Sequence, residues 1–531
     1  MVVYGSQVSG YARKDSDYDA IVVVSPFTQR IKYYYLKGDV QCSALVVEEK
    51  TFESDCSKST LGEFVSGRLL NPYTCISGTE YVRNNEVVYK QRVIAEGLYE
   101  AFADYNRFTE DVVFPLSYFL FEKLRKRAAI YPPVVYSYAM TYGDQLRQEN
   151  LEASLVGFRL AARNLDRDGL VTFDNKDESI RAVPERIKGG GFGARLTSSA
   201  SYTARGIRQY AVHGYAGRVG LDVVGREVIS KLERSKEHSE LPELITNSRT
   251  NWYLSSGKLF AESSDWLSDL LDFYGLNKVT TEIKTKALGE IYNSTNFYTL
   301  VDKRNPSKVY TFAVKRYNDV KGMKWSLLNI WSLKNTNFTA NALERMHREF
   351  SAIEQFRKLG LFTAEILAVF LREKILVTRF IKGKDLSTIQ SEYLREETDD
   401  LTSQNEFGRI LARIHGAGLC IGDTKPSNVI LSEEDSHIYL TDLEQAHSNG
   451  NLTWDIAEFI YYSVRFTLKE ERARKLVNEF VTGYLDGGGD SKVIEQTSTL
   501  RYRAPFQAFI APNVLNALRN DLSRKKGMNR G

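Results

Sequence analysis

The chain has 531 residues, of which 43% are hydrophobic and 26% are charged, and its formal net charge is +4. A chain of this length buries ample core in about three or four domains, and the composition is ordinary for a protein in aqueous solution. This net charge is too small to indicate nucleic-acid binding by itself, so any basic binding surface has to be local.

Signals for a membrane or an export route are missing from the sequence. The longest apolar run, Val112 to Phe121, contains Pro115 and is too short to span a bilayer. The first residues show no basic region followed by an apolar stretch and a cleavage site. The four cysteines lack zinc-ligand spacing and a paired framework. We therefore expect a protein of the reducing cytoplasm with no membrane partner.

The first residues predicted to carry chemistry lie at the start of the chain. Val2 to Tyr4 is typical of a strand, Gly5 and Ser6 follow it, and Asp17 and Asp19 lead into a second apolar strand. Residues two apart in a strand share a face, so the two carboxylates form a candidate site for a divalent metal. This pattern resembles polymerase-β-type nucleotidyltransferases, especially the minimal ones, in which Gly-Ser holds a nucleotide phosphate and two carboxylates bind Mg²⁺.

The resemblance implies a small nucleotidyltransferase-like α/β domain over residues 1–90. Members of that family have a third carboxylate on a neighbouring strand, but the predicted strand Val40 to Val47 has Ser43 at that position, and Asp39 lies before it. A helix that normally precedes the first strand is also missing. We expect this domain to bind Mg²⁺-nucleotide with weak or absent nucleotidyl transfer. The alternative is a surface strand-turn-strand with solvated acidic residues.

Residues 91–185 are predicted to be helical and rich in aromatic side chains. One helical face is apolar from Leu151 to Leu165, the helix ends at Gly169, and two short strands follow, Val171 to Phe173 and Ile180 to Val183. A helix followed by such a hairpin resembles a winged helix, which contacts DNA or docks a protein.

The stretch from Arg186 to Leu221 is basic and contains no acidic residue. Aromatic residues lie between the basic ones, as in surfaces that neutralise phosphates while rings stack on bases. This pattern predicts RNA or DNA as a partner, whereas a solvated segment between domains explains it equally well. The candidate nucleic-acid contacts are Arg195, Arg205, Arg208 and Arg218.

The motif with the most chemical content lies near the C-terminus. Asp423 and Asn428 enclose Lys425, and an apolar hairpin that starts after Asn428 ends at Asp442. Folding that hairpin brings Asn428 beside Asp442, and their oxygen atoms suit Mg²⁺, which prefers one or two carboxylates plus phosphate oxygens. Asp423 precedes the hairpin and is available to act on a hydroxyl group.

This arrangement resembles the catalytic loop of protein kinases, which have the same D-x-x-x-x-N spacing and a later metal-binding Asp. The resemblance implies that Asp423 acts as the base and that Lys425 neutralises charge on the transferred phosphoryl group. It also implies that Asn428 and Asp442 bind Mg²⁺.

Three departures separate this chain from ordinary eukaryotic-type kinases. Gly422 precedes Asp423 where Arg is usual, Leu443 and Glu444 follow Asp442 where Phe and Gly are usual, and no Ala-Pro-Glu triplet follows. The sequence resembles instead the compact atypical kinases of the RIO family and the small kinase of the KEOPS complex. Without a long activation segment, there is little platform for an extended peptide.

Upstream residues complete the resemblance at the ATP site. Val309 to Lys315 is similar to the strand whose Lys pairs the phosphates, and the next helix offers Glu349 as its partner. Ile375 to Gly383 is similar to the strand and hinge that receive adenine. Asp455 is expected to brace the catalytic loop through backbone hydrogen bonds. The ATP-binding residues implied are Gly289, Lys315, Glu349, Thr378 and Phe380.

The sequence thus predicts a multidomain α+β protein with ATP and Mg²⁺ as cofactors. Its predicted parts are a nucleotidyltransferase-like domain at 1–90, a helical region with a winged helix at 91–185, a basic helical linker region at 186–275, a two-lobed protein-kinase-like domain at 276–515 and a basic tail at 516–531.

The predicted function is Mg²⁺-dependent transfer of the ATP γ-phosphoryl group to Ser or Thr of an unidentified protein, or to the chain itself. A RIO-like ATPase switch is a close variant. One alternative is nucleotidyl transfer through Asp17 and Asp19, and another is non-catalytic binding of nucleic acid or a ribonucleoprotein.

Overall fold

The computed structural model describes residues 1–524 except positions 15, 37, 39, 144–145, 184–198, 218–239, 290–292 and 320–340. The chain divides into two compact units, Met1–Ser255 and Ser256–Gly531. Within the described ranges, no helix combines the length and the apolar character needed to cross a bilayer.

The first unit begins with a five-stranded mixed sheet. Its strands lie in the order β3-β4-β2-β1-β5, with β2 and β4 parallel and the other neighbours antiparallel. Apolar residues such as Ile21 and Leu45 bury one face of the sheet. The elements are β1 (Val2–Tyr4), α1 (Ser6–Ser9), β2 (Tyr18–Val24), β3 (Ile31–Leu36), β4 (Cys42–Glu48), α2 (Glu49–Lys58) and β5 (Tyr73–Cys75).

Helices make up most of the remainder of this unit. The predicted helix and hairpin are present as α6, β7 and β8, and Gly169 adopts φ 70° directly after the helix. A third strand, β6, pairs with β8. The elements are α3 (Thr79–Tyr105), β6 (Phe114–Pro115), α4 (Leu116–Ile130), α5 (Val135–Thr141), α6 (Arg147–Arg167), β7 (Val171–Asp174), β8 (Ser179–Ala182), α7 (Ser199–Gly217) and α8 (Glu243–Thr246). The interpretation of this region as a winged helix stays a prediction.

The second unit starts with a six-stranded sheet in the order β10-β11-β12-β15-β14-β9. Neighbouring strands are antiparallel except β14 and β9, which are parallel. The elements are β9 (Lys258–Phe260), α9 (Trp266–Phe273), β10 (Thr281–Gly289), β11 (Asn293–Asp302), β12 (Asn305–Tyr317), α10 (Ala342–Lys358), β13 (Phe362–Thr363), β14 (Ile366–Phe370) and β15 (Ile375–Arg379).

The second unit begins earlier than the predicted boundary at residue 276. Residues 256–275, which were predicted to belong to the linker region, provide the edge strand β9 and the helix α9. Leu270 and Leu271 of α9 lie in the same buried cluster as Phe312 and Val377 of the sheet. This apolar face needs the sheet as its partner, so the segment belongs to the second unit.

The rest of the second unit is mainly helical. A four-stranded sheet in the order β13-β19-β18-β16 and a two-stranded sheet of β17 and β20 accompany the helices. The elements are β16 (Gly383–Asp385), α11 (Leu386–Leu394), α12 (Thr402–Gly416), β17 (Leu419–Cys420), β18 (Val429–Ser432), β19 (Ile438–Leu440), β20 (His447–Ser448), α13 (Leu452–Ser463), α14 (Glu470–Asp486), α15 (Ser491–Thr497), α16 (Leu500–Arg503) and α17 (Pro512–Ser523).

The predicted boundary at residue 515 is also displaced. Helix α17 continues to Ser523, and its Leu518 and Leu522 are buried. Residues 516–531 were predicted to form a basic tail because of the cations at the end of the chain, but the apolar face of the helix decides where the packed region stops. Residues 525–531 lie outside the described ranges.

A buried cluster of ions joins helices α3, α4 and α7 in the first unit. Lys123 lies 2.8 Å from Glu63 and 2.9 Å from Glu96, and Arg205 bonds to both carboxylates, at 3.2 and 2.9 Å. Arg92 also contacts both. The prediction that Arg205 contacts nucleic acid is therefore wrong, because its guanidinium is buried against two carboxylates.

This cluster predicts that the first unit loses stability in acid. Burial alone would raise the pKa of Glu63, but Lys123 and Arg92 lower it from 4.5 to about 2. Because the pKa is lowered on folding, the stabilisation is present above pH 4.5 and disappears as the pH falls towards 2. It amounts to about 3 kcal/mol. Hydrogen exchange of residues 79–130 should show protection that falls over this range.

Arg205→Gln and Arg208→Gln form a matched pair for that measurement. Arg208 is exposed on the same helix, so its replacement should leave the protection unchanged. Replacement of Arg205 should lower the protection at neutral pH by about 1–3 kcal/mol, because charged hydrogen bonds are lost in a buried site. Equal protection in both variants would contradict the structural role assigned to Arg205.

Candidate active site

Lys315 lies at the centre of the candidate active site in the second unit. It belongs to β12, where it pairs with Thr295 of β11 and Leu376 of β15. Its side chain is buried, and its Nζ lies 2.7 Å from Oε2 of Glu349 on α10. The predicted contact between these two residues is therefore present.

Two further carboxylates contact the same ammonium group. Asp442 forms a short ion pair with Lys315, and Oε2 of Glu444 lies 3.2 Å from its Nζ. One carboxylate oxygen from each of Glu349, Asp442 and Glu444 lies within 4.8 Å of the other two. Lys315 thus joins a strand, a helix and the segment after β19 at one point. We call Lys315 and these three carboxylates the lysine cluster.

Charge in the lysine cluster is fixed by mutual contacts. Burial alone would lower the pKa of Lys315, but Asp442 and the other carboxylates raise it well above its ordinary value. Burial raises the pKa of Glu349. For Asp442, Lys315 outweighs the effect of burial and lowers the pKa. Lys315 and Asp442 are therefore charged at neutral pH, as contacts to phosphate and to a divalent cation require.

The hairpin of β18 and β19 brings the predicted metal ligands together. Val429 pairs with Leu440, and the Thr441 amide donates to the carbonyl of Asn428 at 2.9 Å. This register places Asn428 and Asp442 at the same end of the hairpin. The Asn428 side-chain amide donates to the carbonyl of Asp423 at 3.1 Å, which leaves its oxygen as an acceptor. An amide oxygen beside an ionised carboxylate is a donor set that fits Mg²⁺.

Asp423 and Lys425 form a pair on the loop that precedes β18, where the sequence predicts a catalytic loop. The Lys425 ammonium donates to Oδ2 of Asp423 at 3.1 Å. Oδ1 lies 2.9 Å from the same nitrogen, which is an ion-pair contact. The angles of this contact do not make it a hydrogen bond, and no other donor reaches Oδ1 in the described structure. Burial and the charge of Asp442 raise the pKa of Asp423, while Lys425 opposes the rise. A buried carboxylate oxygen without a donor is suited to accept a hydroxyl proton.

Asp455 on α13 holds the backbone of this loop, as the sequence predicted. Its carboxylate accepts hydrogen bonds from the amides of Ile421 at 2.7 Å and Gly422 at 2.9 Å. His415 of α12 contacts the same carboxylate at 3.3 Å. The loop that carries Asp423 is therefore fixed by two helices.

The geometry at Gly422 explains why this chain lacks the usual Arg before the catalytic Asp. Gly422 has φ 79°, and an added Cβ would lie 2.6 Å from the carbonyl oxygen of Gln445. Both the left-handed backbone and the close approach exclude a side chain. The departure noted in the sequence is thus a requirement of the local backbone.

Sequence reasoning missed four residues of the site. Glu444 was noted only as a departure from a glycine, and Tyr317 donates from its hydroxyl to Glu349. Arg345 lies four residues before Glu349 on one face of α10, a spacing that could have placed it beside Glu349, and it contacts Glu444 at 3.3 Å. Glu458 accepts a hydrogen bond from the Thr424 amide at 2.8 Å.

The residues predicted to contact adenine lie beside the strand of Lys315. Thr378 of β15 pairs with Ala313 of β12, and the ring of Phe380 packs edge-on against Phe297 at a centroid distance of 4.6 Å. Gly289, which was predicted to bind ATP, ends β10, and residues 290–292 that follow it lie outside the described ranges.

The predicted carboxylate pair of the first unit lies at the start of β2. Asp19 pairs with Tyr4 on one side and Ser43 on the other, and the Ser43 hydroxyl donates to Asp17. Ser43 thus occupies the neighbouring-strand position where the sequence predicted that a third carboxylate is missing. Gly5 has φ 81°, and an added Cβ would lie 2.6 Å from Oδ2 of Asp19.

A cavity of about 480 Å³ within the first unit is lined by Gly5, Ser6, Asp17 and Asp19, among other residues. The structure thus brings Gly5, Ser6, Asp17 and Asp19 to one cavity. The role of these residues in nucleotide or metal binding stays a prediction.

The basic stretch contributes little to a described surface. Arg208 is exposed on α7, whereas Arg195 and Arg218 lie outside the described ranges. Because Arg205 is buried, Arg208 is the one candidate contact of the four that the structure describes as exposed. The prediction of an RNA or DNA partner therefore receives no support from the described part of this stretch.

Comparisons with known proteins concern the C-terminal half. Residues 299–484 match the family described as "Lipopolysaccharide kinase (Kdo/WaaP) family". The chain is also similar to a protein of Archaeoglobus fulgidus named "Probable serine/threonine-protein kinase BUD32 homolog". The two are 28% identical over 164 residues, which make up 31% of this chain and 77% of the relative. These similarities support a kinase-type enzyme with phosphotransfer activity, and with it the use of ATP and a divalent metal.

The lysine cluster predicts coupling between Lys315 and Glu349. Lys315→Met should lower kcat/KM for ATP by roughly 10- to 100-fold, which corresponds to a lost charged contact of about 1.5–3 kcal/mol. Glu349→Gln should act mainly through Lys315, so the double variant should lose less than the sum of the single losses. Steady-state kinetics of the four proteins measures this coupling.

A control for that cycle is Glu354→Gln, which changes a half-buried carboxylate on the same helix outside the lysine cluster. Its kcat/KM should match that of the wild type. Strict additivity of the two cluster substitutions would show that Glu349 does not position Lys315.

Proposed function

We propose that the second unit transfers the γ-phosphoryl group of ATP to an alcohol hydroxyl with Mg²⁺ as cofactor. The single observation that carries this proposal is the lysine cluster, in which Lys315 meets both Glu349 and Asp442. A buried lysine held by a helix carboxylate and a metal-binding Asp is what phosphoryl transfer needs to position ATP phosphates.

The chemistry follows from the loop next to the cluster. Asp442 and Asn428 would hold Mg²⁺, which neutralises phosphate charge when it is bound. Asp423 orients the acceptor hydroxyl and takes its proton as the new oxygen–phosphorus bond forms. The bond from the γ-phosphorus to the β-bridging oxygen breaks, and ADP leaves. Lys425, which contacts Asp423, balances negative charge on the transferred group.

We propose Ser or Thr of a protein as the acceptor, including the chain itself. The name of the Archaeoglobus relative favours a protein hydroxyl. The name of the matching family refers instead to lipopolysaccharide, whose hydroxyls present the same nucleophile. An ATPase switch would use the same cluster with water as the acceptor. A protein acceptor agrees with the predicted cytoplasmic location.

A second candidate function lies in the first unit. The cavity that holds Asp17 and Asp19 favours Mg²⁺-nucleotide binding there. Ser43, whose hydroxyl donates to Asp17, occupies the position where the family has a third carboxylate. Two carboxylates bind a metal less firmly than three, so this unit would bind nucleotide with weak or absent transfer.

Labelled ATP distinguishes these functions. Full-length protein incubated with γ-labelled ATP should acquire label or transfer it to an acceptor, whereas with α-labelled ATP the label should stay on ADP and neither the protein nor the acceptor should become labelled. Asp423→Asn should preserve ATP binding and lower transfer by about 10²- to 10⁴-fold, the range for a positioned base. Asp442→Asn should weaken both Mg²⁺-ATP binding and transfer, because the metal loses its main ligand. Filter-bound label and released phosphate are measured together.

Asp435→Asn serves as the matched control, because Asp435 is exposed in the turn of the same hairpin. It should retain wild-type transfer. Full transfer in both Asp423→Asn and Asp442→Asn would contradict the kinase proposal. Phosphate release without transfer would favour the ATPase, and α-label transfer lost in Asp17→Ala would favour the second candidate. A partially purified protein extract and a lipopolysaccharide preparation, offered separately, distinguish the two acceptor classes.

A further inference from the structure

Arg68 lines the cavity of the first unit and has an unusual set of partners. Its Nε donates to the hydroxyl of Tyr4 and its terminal nitrogen to the hydroxyl of Tyr33, both at 2.8 Å. The guanidinium lies over the ring of Phe64, at 4.4 Å from the centroid. In the described part of the chain, no carboxylate forms an ion pair with Arg68.

Other recessed cations of the same unit do have such partners. Arg92, Lys123 and Arg205 share the carboxylates of Glu63 and Glu96. The contrast matters because a charged group removed from water is costly unless an opposite charge compensates it. Phenol hydroxyls satisfy two N–H groups of Arg68 but do not neutralise its charge. The remaining N–H groups of the Arg68 guanidinium are suited to bind an oxyanion, above all a phosphate.

The rings beside Arg68 suit a planar group. Tyr33, Tyr131 and His213 line the same cavity. The imidazole of His213 lies 6.4 Å from the ring of Tyr33 and 6.2 Å from that of Tyr131, and the Tyr131 hydroxyl contacts its Nδ1 at 3.0 Å. Aromatic side chains at a cationic site can stack with any heterocyclic base, because every base has a π-face.

We propose that this cavity binds a nucleoside monophosphate through Arg68, with the phosphate on the guanidinium and the base among the rings of Tyr33 and His213. The cavity volume of about 480 Å³ lies within the range for small-molecule sites. Because Arg68 supplies the positive charge itself, this binding needs no metal. It therefore differs from metal-dependent nucleotide binding at Asp17 and Asp19, and it does not depend on the kinase proposal.

Calorimetric titration of the full chain in EDTA tests this proposal, with AMP and inorganic phosphate as separate probes. AMP should bind to one site, and phosphate should compete for it with lower affinity because it lacks the ring. Arg68→Gln should weaken AMP binding by at least about tenfold, the usual loss for a charged hydrogen-bond partner. Arg68→Lys should retain part of the affinity, since it keeps the charge.

Two controls locate the site. Arg208→Gln removes an exposed cation outside the cavity, and Asp442→Asn changes the second unit; AMP affinity in EDTA should be unchanged in both. His213→Ala should weaken AMP but leave phosphate binding unaltered, a readout that does not require the Arg68 variants to fold. Failure of AMP to bind without Mg²⁺, or equal affinity in wild type and Arg68→Gln, would overturn the proposal. Loss of AMP binding in Asp442→Asn would likewise place the ligand in the second unit and overturn it.

Discussion

The second unit depends on one interaction, the burial of the Lys315 ammonium among three carboxylates. A buried cation is costly unless it is paired, and a buried pair is costly unless its remaining groups are also bonded. Glu349 accepts from Tyr317 as well, and Glu444 is paired with Arg345. The cluster therefore fixes the position of α10 and of the segment after β19 relative to strand β12.

The lysine cluster and the ion cluster that joins helices α3, α4 and α7 differ in the sign of their net charge. In the first unit, the carboxylates Glu63 and Glu96 are outnumbered by their cations Arg92, Lys123 and Arg205, and that cluster joins helices. Around Lys315 the carboxylates are in excess, even when Arg345 is counted. An excess of negative charge at a recessed site favours a further cation, which is the charge balance that a Mg²⁺-dependent kinase requires.

The parts of the site that the sequence predicted correctly are those set by short spacing. The hairpin between Asn428 and Asp442 follows from two apolar runs and a polar turn. The hydrogen bond from the loop backbone to Asp455 follows from the position of Asp455 soon after Asp442, as in the kinases that the sequence resembles. Arg205 was misjudged because a basic stretch carries no information about carboxylates more than a hundred residues away in sequence. Likewise, the requirement for glycine at 422 depends on a carbonyl of a segment folded against it.

Boundaries were predicted less well than elements for a related reason. Strand β9 has three residues, and its place in the sheet depends on pairing with β14 more than a hundred residues later. The end of helix α17 was predicted to be a tail because its cations are visible in the local sequence. The residues that cover its apolar face lie far away in sequence and give no local signal. Local pattern thus identified the elements, and tertiary packing decided to which unit they belong.

The proposed phosphoryl transfer requires Asp442, which contacts Lys315 in this structure, to bind a metal ion instead when ATP binds. The most direct measurement is a crystal structure of the full chain with Mn²⁺ and a non-hydrolysable ATP analogue, with data collected for anomalous scattering. We expect an anomalous peak about 2.1 Å from oxygens of Asp442 and Asn428, with Lys315 on the phosphates and still bonded to Glu349. Nucleotide bound away from this cluster, with the Lys315–Asp442 contact intact, would contradict the account.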